Sequence, residues 1–283
     1  MQYRGVILTT LALTAFAANS LLCRLALHDG DMDPVGFTVV RLCSAAIALV
    51  VLIRLGSGSS HPTRSGNWLS AFWLFTYAIT FSYAYVKMET GTGALLAFGA
   101  VQVTMILSAL ITGERPPKQE WAGLMLAVAG VVYLLLPGAS APPWLPASSM
   151  VLAGVAWGFY SLRGRGVTNP GAATCGNFIR TVPMVLVVGA AFVSQLQFTT
   201  TGLLAGVASG AIASGLGYIL WYHALAYLSA TQAAIVQLVA PVLAALGGVA
   251  FLSESLSPRL VIAAVAVFFG VVLAASARKP DPR

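Results

Sequence analysis

Two arginines stand inside stretches that otherwise read as membrane interior. Arg41 lies in FTVVRLC and Arg180 opens the apolar part of GNFIRTVPMVLVV. A guanidinium at the centre of a membrane helix costs about 2.5–3.5 kcal/mol on insertion scales, and less nearer the surface. Each must therefore face a bundle interior, bond to backbone carbonyls or reach towards a surface. Two roles are open to them: bracing a vestibule, or gating and substrate contact. The remaining mid-segment side chains with chemical capacity are aromatics and amides. Phe16, Tyr77, Gln102 and Trp157 fall near the middle of their apolar segments, with Tyr218 and Gln237 somewhat off centre. Such a set suits binding, since pockets are mostly apolar with a few placed polar groups. Tyr and Trp rings also offer a π face to an ammonium group. These six are candidate substrate-binding residues, and ordinary packing or helix-to-helix hydrogen bonding is the alternative use of each.

Coupling chemistry is harder to find. His223 is the side chain within an apolar segment able to titrate near neutral pH, which makes it a candidate proton site. A hydrogen-bonded structural histidine is the alternative. The carboxylates Asp29, Asp31, Asp33, Glu89, Glu114, Glu120 and Glu254 all fall at segment ends. Glu114 and Glu254 are expected to cap or pair locally, with gating as their second role. Arg24, beside HDGDMD, is a candidate external gate. Without a mid-membrane acid, facilitated diffusion is the expected mode. No G-x-S-x-G, no paired intramembrane aspartates and no His cluster with ligand spacing occurs, so an enzyme is disfavoured and no cofactor or metal is implied. Cys23, Cys43 and Cys175, odd in number and widely separated in apolar surroundings, read as small core residues.

The elements that must position these residues follow from composition. Of the 283 residues, 58% are hydrophobic and 8% charged. A soluble domain carries about 25% charged residues, so the chain reads as a polytopic membrane protein whose surroundings are the lipid bilayer. Its net charge of +7 is scattered through short loops and is no nucleic-acid signal. A span needs about 20 mainly apolar residues. Segments of that kind lie near 5–27, 34–54, 68–87, 91–111, 119–136, 146–165, 172–194, 200–226, 231–252 and 258–276. MQYR before an apolar run, with AFA at 15–17, resembles a signal peptide. The run continues to about Leu27, long enough to span, and is expected to be a retained first helix. GVASGAIASGLG (206–217) reads as a close-packing face, with Gly206 and Gly210 as its small-xxx-small pair. With the N-terminus in the cytoplasm, the inside receives Arg4, Arg54, Arg64, Arg115, Lys118, Arg163, Arg165, Arg278, Lys279 and Arg283. The outside receives Arg24, Lys87 and Arg259. That positive-inside bias places both termini in the cytoplasm.

The second half repeats the first. At an offset of 140, GERPPKQEWAGLMLAVAGVV (113–132) faces SESLSPRLVIAAVAVFFGVV (253–272), aligning Glu114 with Glu254. At 141, Ser20 meets Ser161 and Arg24 meets Arg165, and at 139 Arg41 meets Arg180. A unit of five helices is odd, so its second copy enters the membrane inverted, as in secondary transporters whose sites lie near the midplane between repeats. The fold class expected is an all-α integral membrane protein of ten transmembrane helices in two inverted five-helix repeats. Residues 1–138 form the first repeat, 144–276 the second, and 277–283 a cytoplasmic tail, with the Pro-rich PGASAPPWLP (137–146) as the linker.

These residues resemble the drug/metabolite transporter superfamily, in particular its EamA-type ten-helix exporters. The resemblance is carried by ALAYLSATQAAIVQLVAPVLAALGGVAFLSESLSP in the second copy, with Pro241 and Glu254. In the first copy it rests on Arg41, Gly113-Glu114-Arg115 and Gly130. Val101 stands where the family often carries the proline seen here as Pro241, and Ala263 replaces a common glycine. The resemblance implies a multi-pass inner-membrane exporter of amino acids or related metabolites, similar to the YddG-type aromatic amino acid exporters. Its partner would be a small-molecule substrate, moved through a cavity near the repeat interface. A nucleotide-sugar or drug carrier of the same superfamily is the alternative. Oligomeric state is left open.

Overall fold

The computed structural model describes residues 3–56, 65–111, 117–136, 141–164, 167–225, 227, 236–237 and 239–276. Glu114, Arg165, residues 231–235 and 238 of the ninth apolar segment and the 277–283 tail lie outside the described residues, as do linker residues 137–140. The described chain is helical. The first five helices are α1 (Tyr3–Leu27), α2 (Pro34–Gly56), α3 (Trp68–Tyr85), α4 (Thr90–Ile111) and α5 (Lys118–Leu135). The second group comprises α6 (Trp144–Gly164), α7 (Pro170–Ala191), α8, α9 (Val239–Leu252) and α10 (Pro258–Ala275). Helix α8 runs through Thr200–Val207, a π-helical stretch Ala208–Leu216 and Gly217–Leu225. Five of these rods, at Tyr3–Leu27, Pro34–Leu55, Trp144–Gly164, Gly171–Ala191 and Thr200–Trp221, are long and apolar enough to cross a membrane. Shorter apolar helices accompany them at Thr90–Met105, Trp121–Leu135, Val239–Leu252 and Pro258–Gly270.

Local sequence explains where the helices begin. The first N–H groups of a helix have no intrahelical acceptor and must find one elsewhere. Asp33, Asn67, Asn169, Thr199 and Ser257 supply it, accepting from Gly36, Ser70, Ala172, Gly202 and Leu260 at 2.8–3.1 Å. In three of these cases a proline, Pro34, Pro170 or Pro258, follows the capping residue, where its missing N–H and fixed φ suit the first helical position.

The packing is inside-out relative to a soluble protein. Ile47, Leu55, Val187, Leu204, Phe251 and Phe269 are all exposed, whereas Asn19, Thr38, Arg41, Gln102 and Ser214 are buried. That is the distribution expected where the surroundings are as apolar as leucine and polar groups must be satisfied internally. Neighbours are chosen across the two halves of the chain. Helix α5 packs on α10, α3 on α6 and α7, α4 on α6 and α9, α2 on α7 and α8, and α1 on α8 and α9.

The glycine face of α8 does what its spacing predicts, with one addition. A Cβ on Gly210 would overlap the Arg41 carbonyl and the Ser44 hydroxyl, so α8 touches α2 at backbone distance. The addition is the π-helical hydrogen bonding between Ala208 and Leu216. Residues five apart sit roughly 140° apart around an α-helix at 3.6 residues per turn, whereas i→i+5 bonding stacks them. Ser209 and Ser214, five apart, are thereby both buried and both turned to polar partners.

Candidate functional site

Four of the predicted binding residues meet. Trp157 of α6 lies 5.0 Å from Tyr77 of α3, 4.9 Å from Tyr218 of α8 and 6.4 Å from Phe16 of α1, between ring centroids. Phe16 also sets its edge against Tyr218 at 6.0 Å and Trp221 at 5.7 Å. Phe16, Tyr77, Trp157 and Tyr218, together with Asn19, Ser20, Phe81, Phe98 and Val101, bound a chamber. Its free volume is about 40 Å³, room for roughly three waters at about 10–15 Å³ each. A space this small must widen to admit an organic solute.

A polar strand runs behind the aromatic wall. The Tyr77 hydroxyl oxygen accepts from Arg41 Nη2 at 3.1 Å and from Asn19 Nδ2 at 3.4 Å. Ser209 Oγ donates to Asn19 Oδ1 at 2.7 Å, and Arg41 Nε donates to Ser214 Oγ at 3.2 Å. Four helices from both halves of the chain, α1, α2, α3 and α8, are thus joined by one network. The Arg41 guanidinium stands 5.2 Å from the Tyr77 ring centroid and 5.3 Å from that of Phe81.

The other predicted residues have different settings. Gln102 is buried in α4 beside the chamber residue Val101, and its Nε2 has no hydrogen-bond partner among the described residues. Gln237 is buried in a helical turn ahead of α9. Arg180, partly buried, donates from Nη1 to the Ser65 carbonyl at 2.6 Å and the Gly176 carbonyl at 2.8 Å. His223 is exposed in the last turn of α8 and does not line the chamber.

Local pairing of Glu254 is overturned. Its partner is Arg24, 230 residues away, with Nε donating to Oε1 at 3.2 Å. Arg24 in turn faces Glu254 and not the HDGDMD acids. Its Nη1 donates to the Tyr85 and Val86 carbonyls at 3.0 and 3.2 Å, while Glu254 accepts from the Thr90 N–H and hydroxyl at 2.9–3.0 Å. This clasp ties the C-terminal ends of α1 and α3 and the start of α4 to the α9–α10 connection. Ser253, at φ 53°, occupies the left-handed region to turn Glu254 inward, a conformation that costs a non-glycine residue about 1–3 kcal/mol. At the opposite end of the bundle Arg163 donates to Ser70 Oγ at 3.1 Å and Asn67 Oδ1 at 3.2 Å, and Asn177 Oδ1 accepts from the Asn67 N–H at 2.9 Å. Contacts between the two halves of the chain thus stand at both ends of the bundle.

Glu89, half-buried in the turn before α4, sits near the clasp. Burial pushes its carboxyl above the ordinary value, the Glu254 carboxylate adds to that, and Arg24 opposes it. The folded protein holds this proton more tightly than the unfolded chain. Its contribution to stability is therefore greatest at low pH and declines as pH rises from the ordinary value of about 4.5 towards the raised one. Melting curves of wild type and Glu89→Gln across pH 4.5–7.5 should diverge in that sense, with the variant gaining relative stability as pH rises. A constant difference would show that Glu89 is not protonated more readily in the fold.

Sequence reasoning missed Asn19, Ser209, Ser214, Phe81 and Trp221. A signal for some was present: Phe16, Asn19, Ser20 and Cys23 follow i, i+3, i+4, i+7, and Tyr77, Phe81 and Tyr85 follow i, i+4, i+8, each one face of a helix.

Comparison with known proteins places this arrangement. The sequence pattern described as the EamA-like transporter family matches twice, over residues 3–136 and 144–276. An uncharacterized protein of Pseudomonas aeruginosa is 52% identical over 270 residues, covering 95% of this chain and 94% of its own length. The uncharacterized inner membrane transporter YedA of Escherichia coli is 25% identical over 249 residues, covering 85% and 81%. A solved crystal structure shares the fold with a TM-score of 0.69 at 19% identity, covering 97% of this chain and 98% of its own. With the family pattern met in both halves and the apolar helices to span a membrane, this chain belongs to the EamA-like transporter family.

Proposed function

We propose that the protein is a secondary transporter that exports neutral, hydrophobic or aromatic amino acids and related metabolites by alternating access, with facilitated diffusion as the simplest use of its small aromatic chamber. The observation that carries this reading is the convergence of Phe16, Tyr77, Trp157 and Tyr218 from α1, α3, α6 and α8 on one chamber between the halves. Rings held at 5–6 Å offer an apolar side chain large contact area and offer an ammonium group π faces.

The ten-helix inverted repeat, with units 1–138 and 144–276, is part of the proposal. Exchanging α1–α5 with α6–α10 turns the α3–α6 contact into α8–α1, α4–α6 into α9–α1 and α3–α7 into α8–α2. It leaves α5–α10, α2–α7 and α4–α9 in place, and every one of these contacts occurs. A twofold relation of that kind lets one unit rock against the other while the chamber stays between them. Breaking the Arg24–Glu254 clasp would open one end and breaking the Arg163 contacts the other. The inner membrane, with both termini cytoplasmic, is the location that the loop charges support.

The test is uptake of a labelled amino-acid panel into proteoliposomes, with and without a pH gradient. Saturable entry of neutral amino acids, aromatic ones foremost, with no effect of the gradient is expected. Entry no faster than in protein-free vesicles would remove the substrate assignment. Gradient-stimulated entry would replace facilitated diffusion with proton coupling and make His223 the first variant to examine.

A further inference from the structure

Arg41 and Arg180 are matched by the sequence repeat, yet their surroundings differ. Arg180 is partly buried and gives its Nη1 to two backbone carbonyls. Arg41 is 1% exposed, and its described partners are two hydroxyls, Tyr77 and Ser214, and two ring faces. Among the described residues its Nη1 has no hydrogen-bond partner, and neither of their ion pairs includes it. The titratable groups that feel its charge are the Tyr77 and Tyr218 phenols and the Cys23 thiol, none of them an acid of the carboxylate kind.

A buried cation is ordinarily paired, because desolvation costs several kcal/mol that hydroxyls and π faces offset only in part. Arg41 is therefore a charge awaiting a counter-charge, and it stands against Tyr77 and Phe81, which both line the aromatic chamber. We propose that Arg41 is the anchor for a carboxylate on the transported solute, received at Nη1 when the chamber opens, while the solute's apolar side chain lies among Phe16, Trp157 and Tyr218. This deepens the amino-acid reading above and rests on it. A single guanidinium with one open edge fits a monoanion, and a carboxylate accepts from that fork geometry well. Ser214 holds Nε and Tyr77 holds Nη2, so the open edge is fixed in place by the π-helical turn of α8 on one side and by α3 on the other.

The experiment compares L-phenylalanine with L-phenylalanine amide, which keeps the ring and the ammonium but lacks the negative charge. Uptake into proteoliposomes of the full chain and ligand-induced thermal stabilisation are measured for wild type, Arg41→Lys and Arg41→Gln. Wild type should favour the acid at least 10-fold. Arg41→Gln should lose that preference by losing the acid while retaining the amide, which also shows that the chamber has folded. Arg41→Lys, keeping charge without the fork, should fall between them. Equal handling of acid and amide by wild type would overturn the anchor and leave the transporter reading standing, without any variant needing to fold. Full preference for the acid in Arg41→Gln would overturn it as well. If neither compound enters or stabilises the protein, the anchor and the amino-acid assignment fall together. A preference for phenylphosphonate over phenylalanine would assign the arginine to phosphoryl solutes and overturn the carboxylate assignment.

Discussion

Glu254→Ala should lower stability by about 3–5 kcal/mol, the usual cost of removing one partner from a buried ion pair. The side chains of Arg24 and Glu254 are 8% and 9% exposed, so the orphaned guanidinium gains little from water. The loss is compounded because the same carboxylate serves the Thr90 N–H and hydroxyl, leaving the start of α4 without its acceptor. Glu254→Gln, which keeps an acceptor for Thr90 but not the charge, should fall between wild type and Ala. The double replacement Arg24→Met/Glu254→Met should be less damaging than Glu254→Ala alone, since it leaves no unpaired charge. Melting in detergent reads all three, and a Glu254→Ala midpoint equal to wild type would mean that the clasp contributes nothing to the fold. If the clasp also closes one end of the chamber, the double variant should fold yet transport poorly, with solute reaching the chamber from one side in both halves of the cycle.

Trp157→Ala should cost about 3 kcal/mol, the low end for removing a core tryptophan because this ring is only partly buried. It also removes the ring that touches Phe16, Tyr77, Tyr160 and Tyr218 at once. Uptake of aromatic amino acids should fall by 10-fold or more, while Trp157→Phe, which restores most of the ring contacts, should recover much of it. The contrast separates loss of the binding face from loss of folding. Equal uptake by Trp157→Ala and wild type, at equal protein content, would move the solute elsewhere in the bundle.

The two predictions bear on different parts of one device. On the proposed reading, the clasp would control access and the rings between the halves would control what is held. The network from Ser209 through Asn19 and Tyr77 to Arg41 and Ser214 joins them, because Asn19 and Arg24 share α1 and Tyr77 and Tyr85 share α3.

The sequence by itself determined the class of the molecule and much of the aromatic chamber. Apolar run length dictates helices in a bilayer, because every backbone polar group must be satisfied within the segment. Asp33-Pro34, Asn169-Pro170 and Ser257-Pro258 mark helix starts for reasons local to the chain. Depth within a segment singled out Phe16, Tyr77, Gln102 and Trp157 near mid-span with Tyr218 and Gln237 somewhat off centre, and of these six the structure brings the four rings into contact. Only the tertiary structure decided partners. Glu254 reads as a local cap until the fold carries it to Arg24, and Arg41 and Arg180 look equivalent until one finds carbonyls and the other does not. Periodicity tells which face of a helix turns inward but not which helix it meets, and the π-helical stretch that carries Ser209 and Ser214 coincides with the close approach of α8 to α2 at Gly210, a contact between residues far apart in the chain.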